Sequence, residues 1–392
     1  MPTLMYRLTG SALYTGVLTA LQSLPYVIFG LVGGAVADRV DRRHMMIVAD
    51  LLNAAVLASV PLAAAFGVLR VGHVLVAATL TASLFVFFDA ANFGALPTLV
   101  GRNRIARANG AVWGASTVIE IGVPALTGVL VAVVYPATLL AADAVTYMVS
   151  ALCISRIARP LSDPARLAAA AASGRRVLAG LRAEIGEGLR FLWHHATIRP
   201  MTQIGCAQAV AGGAVVGQLV PYAREVLGIG EKDNGLGVLF AGWGLGALVG
   251  ALVMGWAAAR LGAARVTLLA LPGSLACGVA FAIAPTFPLA VLALTCWGVA
   301  YILITVNGIT YRQQQTPEPL LSRVNVTGRL LTYGIGYTVG ALAGGVVSSA
   351  TDPRGAMGFA AGCVGIAVIV GWRSPLRTAP QPARPAPEPS TA

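Results

Sequence analysis

Charge is what this sequence has least of. Only 11% of its 392 residues are Asp, Glu, Lys or Arg and its mean hydropathy is +0.78, whereas soluble domains carry roughly 25% charged residues. That shortage excludes a water-soluble globule and a disordered chain. The formal charge of +12 invites nucleic acid, but the basic residues punctuate long apolar runs and build no basic face. No nucleic-acid partner is expected. Catalytic patterns are missing as well: there is no H-E-x-x-H, G-x-S-x-G or P-loop, so neither an enzyme nor a cofactor is expected. Histidine is scarce; His44 sits in a basic loop, His73 at a span end, and the adjacent His194 and His195 make a poor metal site. The cysteines, Cys153, Cys206, Cys277, Cys296 and Cys363, show no C-x-x-C spacing and read as small packing residues. The first apolar run lacks a basic leader and is too long for a signal peptide.

What the chain has instead is uncharged length. A helix needs about 20 apolar residues to cross some 30 Å of hydrocarbon. Leu8–Ala37, Pro200–Ala223, Asn234–Ala259 and Leu330–Thr351 carry no charge, and Val266–Tyr311 holds two spans broken at Pro285 and Pro288. The pattern predicts an all-α polytopic membrane protein with eleven spans: Ser11–Ala37, Met45–Phe66, Gly72–Leu96, Gly110–Val134, Pro136–Ser155, Met201–Tyr222, Asn234–Ala259, Val266–Ala284, Pro288–Thr310, Leu330–Ser349 and Ala356–Trp372.

Arginine and lysine accumulate in cytoplasmic loops. Alternate loops, the central segment and the tail hold 22 of the 27 basic residues, against five on the other side: Arg7, Arg70, Arg224, Lys232 and Arg354. The expected orientation places the C-terminus in the cytoplasm and the N-terminus outside, in the plasma (inner) membrane. Gly34-Ala-Val-Ala-Asp38-Arg39-Val40-Asp41 recurs in weaker form 221 residues later as Gly255-Trp-Ala-Ala-Ala259-Arg260-Leu261-Gly262. The first copy closes the first span; the second closes the second span after the central loop. Two pseudo-symmetric helical bundles of five and six spans follow, from a six-plus-six plan whose first helix would precede Met1. The expected divisions are an N-terminal bundle over 1–155, a cytoplasmic linker over 156–199, a C-terminal bundle over 200–373 and a disordered cytoplasmic tail over 374–392. Within the linker, Leu178, Leu181, Ile185, Leu189 and Leu192 form one stripe of an amphipathic helix, with Arg176, Glu184, Glu187 and Arg190 opposite. That pattern fits a helix lying on the cytoplasmic leaflet or a soluble helical connector.

Gly34-x-x-x-Asp38-Arg39-x-Asp41-Arg42-Arg43 resembles the G-x-x-x-D-R-x-G-R-R loop of the major facilitator superfamily, departing only at Asp41. Together with Leu8-Thr9-Gly10-Ser11-Ala12, Glu184–Trp193 and Tyr311–Pro317 through Arg323-Val324, it resembles that superfamily's drug–proton antiporter branch of macrolide and enterobactin exporters. The resemblance spans nearly all of Pro2–Trp372. It implies twelve helices, alternating access, and a substrate cavity lined by the third, sixth and ninth spans counted here. The branch's G-P-x-x-G-G motif is represented only by Pro124 and Gly128. In the loop, Gly34 permits close backbone approach, Asp38 can meet the positive end of a facing helix, and Arg39, Arg42 and Arg43 hold the loop in water or pair with Asp38, Asp41 or Asp50. The loop is read as a cytoplasmic latch, or otherwise as a positive-inside anchor.

Glycine recurs at helical spacing, at Gly242, Gly246, Gly250 and again at Gly336, Gly340, Gly344, with pairs at Gly30/Gly34 and Gly110/Gly114. These stripes suit sliding or static helix interfaces. Ionisable residues inside spans are costly and usually functional. Asp50 lies close to the loop arginines and Asp143 near the outer third of its span; Asp89 and Glu120 lie deeper and are the rival proton-coupling candidates. The second half has no membrane acid, so its cavity is expected to be lined by Gln203, Gln208, Asn307, Trp297 and Tyr301. Such a lining suits a small amphipathic molecule, exported at the expense of the proton gradient by a monomer in the bilayer. A truncated, inactive or regulatory membrane protein is the alternative; a polytopic enzyme would need converging polar groups that the second half lacks.

Overall fold

The computed structural model describes residues 1–37, 39–100, 136–162, 177–230, 233–317 and 320–378, with positions 115, 119, 130 and 134 between them. Among the described residues the secondary structure is helical throughout. The helices are α1 (Pro2–Thr9), α2 (Ala12–Ala37), α3 (Arg42–Ala65), α4 (Val71–Val100), α5 (Pro136–Ser155), α6 (Val177–His194), α7 (Ile198–Pro221), α8 (Gly235–Leu261), α9 (Ala263–Ile283), α10 (Phe287–Gln315), α11 (Leu321–Arg329), α12 (Tyr337–Ala350) and α13 (Pro353–Arg373). A π-helical turn, Tyr222–Val226, extends α7, and a second, Leu330–Gly336, joins α11 to α12. Among the described residues, ten segments are long and apolar enough to cross a membrane. They coincide with ten of the eleven expected spans; the expected span 110–134 lies outside the described residues, so the five-plus-six division rests on the sequence.

One element departs from the sequence reading. The first helix begins at Pro2, not at Ser11, and it is a separate short piece. Pro2 starts it, where the missing N–H costs nothing, and Gly10 stops it with φ +60°, a left-handed cap that a side chain would strain. Leu4 and Met5 are fully buried and pack with Leu57, Val60, Val74 and Ala137 of α3, α4 and α5.

The spans are apolar all round, and their large side chains, such as Leu252 of α8 and Ile283 of α9, point outward. Glycine faces point inward. A Cβ on Gly246 would stand 2.0 Å from the Thr295 carbonyl oxygen, and one on Gly340 2.0 Å from that of Val210. The stripe Gly242, Gly246, Gly250 therefore seats α8 on α10, and Gly336, Gly340, Gly344 seat α12 and its preceding turn on α7. Both stripes join helices that follow the linker. One glycine contact that crosses to the helices before it is made by Gly16 of α2, where a Cβ would meet the Ala341 carbonyl oxygen at 2.6 Å and Gly345 Cα at 2.9 Å. Gly217 of α7 faces the same point. Gly30 meets only Tyr26 of its own helix. Around Gly34 no described atom lies within 4 Å of the Cβ position.

Helix α6 docks on α11. Leu192 is buried with Ile198 and Val324, Glu187 pairs with Arg323, and a Cβ on Gly188 would lie 2.5 Å from Thr327 Oγ1. Leu189 and Trp193 remain exposed.

Candidate functional site

The signature loop is built by capping chemistry. Asp41 precedes α3 and its carboxylate accepts from the His44 backbone N–H at 2.9 Å, satisfying one of the donors that a helix start leaves orphaned. Arg43 donates to the carbonyls of Ser155 and Ile157 at the end of α5, where a helix leaves its acceptors and negative pole unmatched. The Arg42 backbone N–H donates to Ser162 Oγ at 2.9 Å. Arg42 is buried, not solvated as the sequence suggested; the segment after α5 folds over it. Arg39 is exposed in the turn. The loop thus binds the start of α3 to the end of α5. Asp38, the residue on which the latch expectation rests, lies outside the described residues. Asp50 is buried and approaches Ser150 of α5 instead of the loop arginines.

Of the two acids singled out for coupling, Glu120 also lies outside the described residues. Asp89 is half-buried on α4. The Tyr26 hydroxyl of α2 donates to Asp89 Oδ2 at 3.0 Å. The Arg329 guanidinium, at the end of α11, lies 5.9 Å from the centre of the Tyr26 ring. A carboxylate and a cation from opposite sides of the linker therefore meet through one phenol. Tyr26 and Arg329 were not singled out by the sequence reading; Tyr26 follows Pro25 in an uncharged run, and Arg329 counted only as a loop cation.

The expected cavity lining divides. Trp297 and Gln208 are buried, and both donate to one acceptor: Trp297 Nε1 to Ser274 Oγ at 3.0 Å and Gln208 Nε2 to it at 3.3 Å. A serine oxygen has two lone pairs and can take both. These residues, and the buried Asn307, lie in the packed interior in this conformation. The physical reason is volume. Trp297 packs with Phe281 and Trp243 across α8, α9 and α10, filling the space left by their small residues. Gln203 is half-buried. Tyr301 is half-buried with its ring 5.2 Å from that of Trp243. Its hydroxyl lies beside Gly212, and its nearest ionisable neighbours are Tyr333 and Tyr337. Tyr333 belongs to the π-helical turn before α12, a distortion found often at functional sites. The group that converges is therefore Trp243, Tyr301, Tyr333 and Tyr337. The i, i+4 spacing of the last two was a legible signal that the sequence reading did not use. Among the described residues no cluster of His, Cys, Asp and Glu could hold a metal ion.

At the arginine-poor end, two bonds cross between the parts of the chain. Tyr6 donates to Glu225 Oε1 at 2.6 Å, and Gln218 Nε2 donates to the Ala12 carbonyl at 3.0 Å. Partial burial and the Glu225 carboxylate push the Tyr6 phenol upward, so it stays a donor through the physiological range.

A profile of transmembrane secretion effectors matches residues 2–390. The multidrug efflux pump Tap of Mycolicibacterium fortuitum is 30% identical over 361 residues, covering 89% of this chain and 84% of the relative. The pump of that name from Mycobacterium tuberculosis (strain ATCC 25618 / H37Rv) is 30% identical over 209 residues, 52% of this chain and 48% of the relative. Among solved structures, a mutant of the nucleoside transporter NupG superposes with a TM-score of 0.72 at 14% identity, covering 95% of this chain and 93% of that one. A bacterial homologue of the human lysosomal transporter Spinster, inward-facing and unoccupied, superposes with a TM-score of 0.68 at 13% identity, covering 95% and 92%.

Proposed function

Since this chain belongs to the transmembrane secretion effector family of major facilitator transporters, we propose that it exports an amphipathic small molecule by proton-coupled alternating access. It is a multi-pass membrane transporter. The moving parts are two bundles, residues 1–155 and 200–373, that rock about the contact of Gly16 with Ala341 and Gly345. The plasma membrane holds them with the arginine-rich ends of the spans in the cytoplasm.

The link Asp89–Tyr26–Arg329 carries the coupling proposal. Charged Asp89 attracts Arg329 through the shared phenol and holds the two bundles together near the arginine-rich end. Protonation of Asp89 removes that attraction. The bundles then part, the site is reached from the other side, and the proton leaves there. Glu120 is the rival carrier. The aromatic group Trp243, Tyr301, Tyr333, Tyr337 supplies flat apolar faces with phenol donors, which suit an amphipathic organic molecule better than a sugar or an inorganic ion. Homology to a multidrug efflux pump supports that substrate class.

The test is gradient-driven export of an amphipathic dye, ethidium, from proteoliposomes holding the full chain. Asp89→Asn is expected to abolish concentrative export under an imposed pH gradient while leaving ethidium binding within about threefold. Undiminished concentrative export by that variant overturns the assignment of Asp89 and moves coupling to Glu120.

A further inference from the structure

We propose that Arg312 and Arg329 form a binding site for a phosphate group at the arginine-rich end of the helices that follow the linker. Arg312 stands in the last turn of α10 and is only 5% exposed. Its Nε is buried without a hydrogen-bond partner, and among the described residues no carboxylate pairs with it. The guanidinium lies flat against the α11 backbone: a Cβ on Gly328 would stand 2.2 Å from Nη1 and 2.4 Å from Cζ. The ionisable groups around it are Cys206 of α7, Tyr333 and a second cation, Arg329. Arg329 and Tyr333 are exposed, so the buried guanidinium has a surface cation and a surface phenol in its neighbourhood.

A buried guanidinium that no carboxylate pairs among the described residues, with a second guanidinium nearby, is costly in a setting of low dielectric. The carbonyl end of α10 offsets part of that cost, but an anion would remove most of it. Arg presents a planar fork of donors that matches two oxygens of a phosphate, and the Arg329 side chain can close on a third oxygen. Gly328 leaves the room that Arg312 needs to lie in this position. The phosphate can come from solution or from the headgroup of an anionic lipid; the chemistry recognised is the same. This site shares Arg329 with the proposed coupling link but requires no titration of Asp89, and Arg312 belongs to the phosphate site alone.

The experiment uses the full chain in dodecyl maltoside, which carries no phosphate. Thermal unfolding is followed while inorganic phosphate is added at constant ionic strength, and in a second arm while phosphatidylglycerol is added in mixed micelles. The native chain is expected to gain stability saturably in at least one arm, and the arm that responds identifies the source. Arg312→Gln and Arg329→Gln are each expected to weaken that response about tenfold or more. Without phosphate, Arg312→Gln should unfold at the same temperature as the native chain or a higher one, because an unmatched buried charge is gone. A purely packing role for Arg312 predicts equal destabilisation with and without phosphate. No response in either arm, or a response unchanged in both variants, overturns the proposal. Should Arg312→Gln fail to fold, the exposed Arg329→Gln decides it.

Discussion

Substituting alanine for Gly340 should destabilise the transporter severely, whereas the same change at Gly362 should help it. The contrast follows from one geometric fact. At Gly340 the new Cβ would stand 2.0 Å from the Val210 carbonyl oxygen and 2.7 Å from its carbon, whereas at Gly362 nothing lies within 4 Å. An unstrained contact needs about 3.5 Å, so α12 and α7 must part by roughly 1.5 Å. Backbone cannot swing aside as a flexible side chain would, and overpacking of this kind costs about 1–3 kcal/mol. In the open helix of Gly362, alanine instead gains roughly 0.5–1 kcal/mol by restricting the unfolded chain. The two variants should then differ by about 1.5–4 kcal/mol, a ratio of unfolding constants on the order of tenfold to a thousandfold. Unfolding of the purified protein in mixed micelles of increasing dodecyl sulfate content reads that ratio. Equal midpoints for Gly340→Ala and Gly362→Ala would refute the reasoning, because the helices would have been shown to yield where the structure has them locked.

Ser274→Ala should leave the Trp297 and Gln208 donors without their acceptor and cost about 1–3 kcal/mol in the same assay; a loss no greater than that of an exposed serine, such as Ser349, would mean that other groups replace it. Arg43→Gln should loosen the tie between the α2–α3 loop and the end of α5 by about 1 kcal/mol, visible as faster amide exchange in residues 151–157; unchanged exchange there would contradict it. Tyr6→Phe removes a bond across the arginine-poor end. Because the pair is exposed, the loss is small, about 0.5–1 kcal/mol, and spin labels at Val68 and Thr351 should report a two- to fivefold rise in separated conformers.

The spans were legible because hydrocarbon imposes one simple demand, uncharged length, and the runs before Ala37 and after Asn234 meet it without ambiguity. Glycine stripes were legible as interfaces but not as particular ones. The spacing of Gly242, Gly246 and Gly250 says that a helix has a smooth face; it does not say that α10 lies on it. The contact of Gly16 with Ala341 and Gly345 had no repeat to announce it. Hydropathy also failed to separate a core from a cavity: Trp297 and Tyr301 lie one turn apart on α10, and only packing shows that the first is sealed in while the second meets other tyrosines. Charge counting misled in one respect. It treats every loop arginine as solvated, yet Arg42 and Arg312 are buried, and neither burial follows from local sequence. Short α1 escaped notice because Arg7 interrupts its apolar residues, and eight residues are too few for a span.

The central claim is that Asp89 carries a proton whose charge state sets its attraction to Arg329 through Tyr26. Proton release measures it most directly. Ethidium is added to the purified full chain in weakly buffered detergent solution, and a pH-sensitive dye reads the protons freed on binding. The account predicts about one proton per bound dye for the native chain, close to none for Asp89→Asn, and an altered pH dependence for Tyr26→Phe. Equal release from the native chain and from Asp89→Asn, at matched ethidium occupancy, would contradict it.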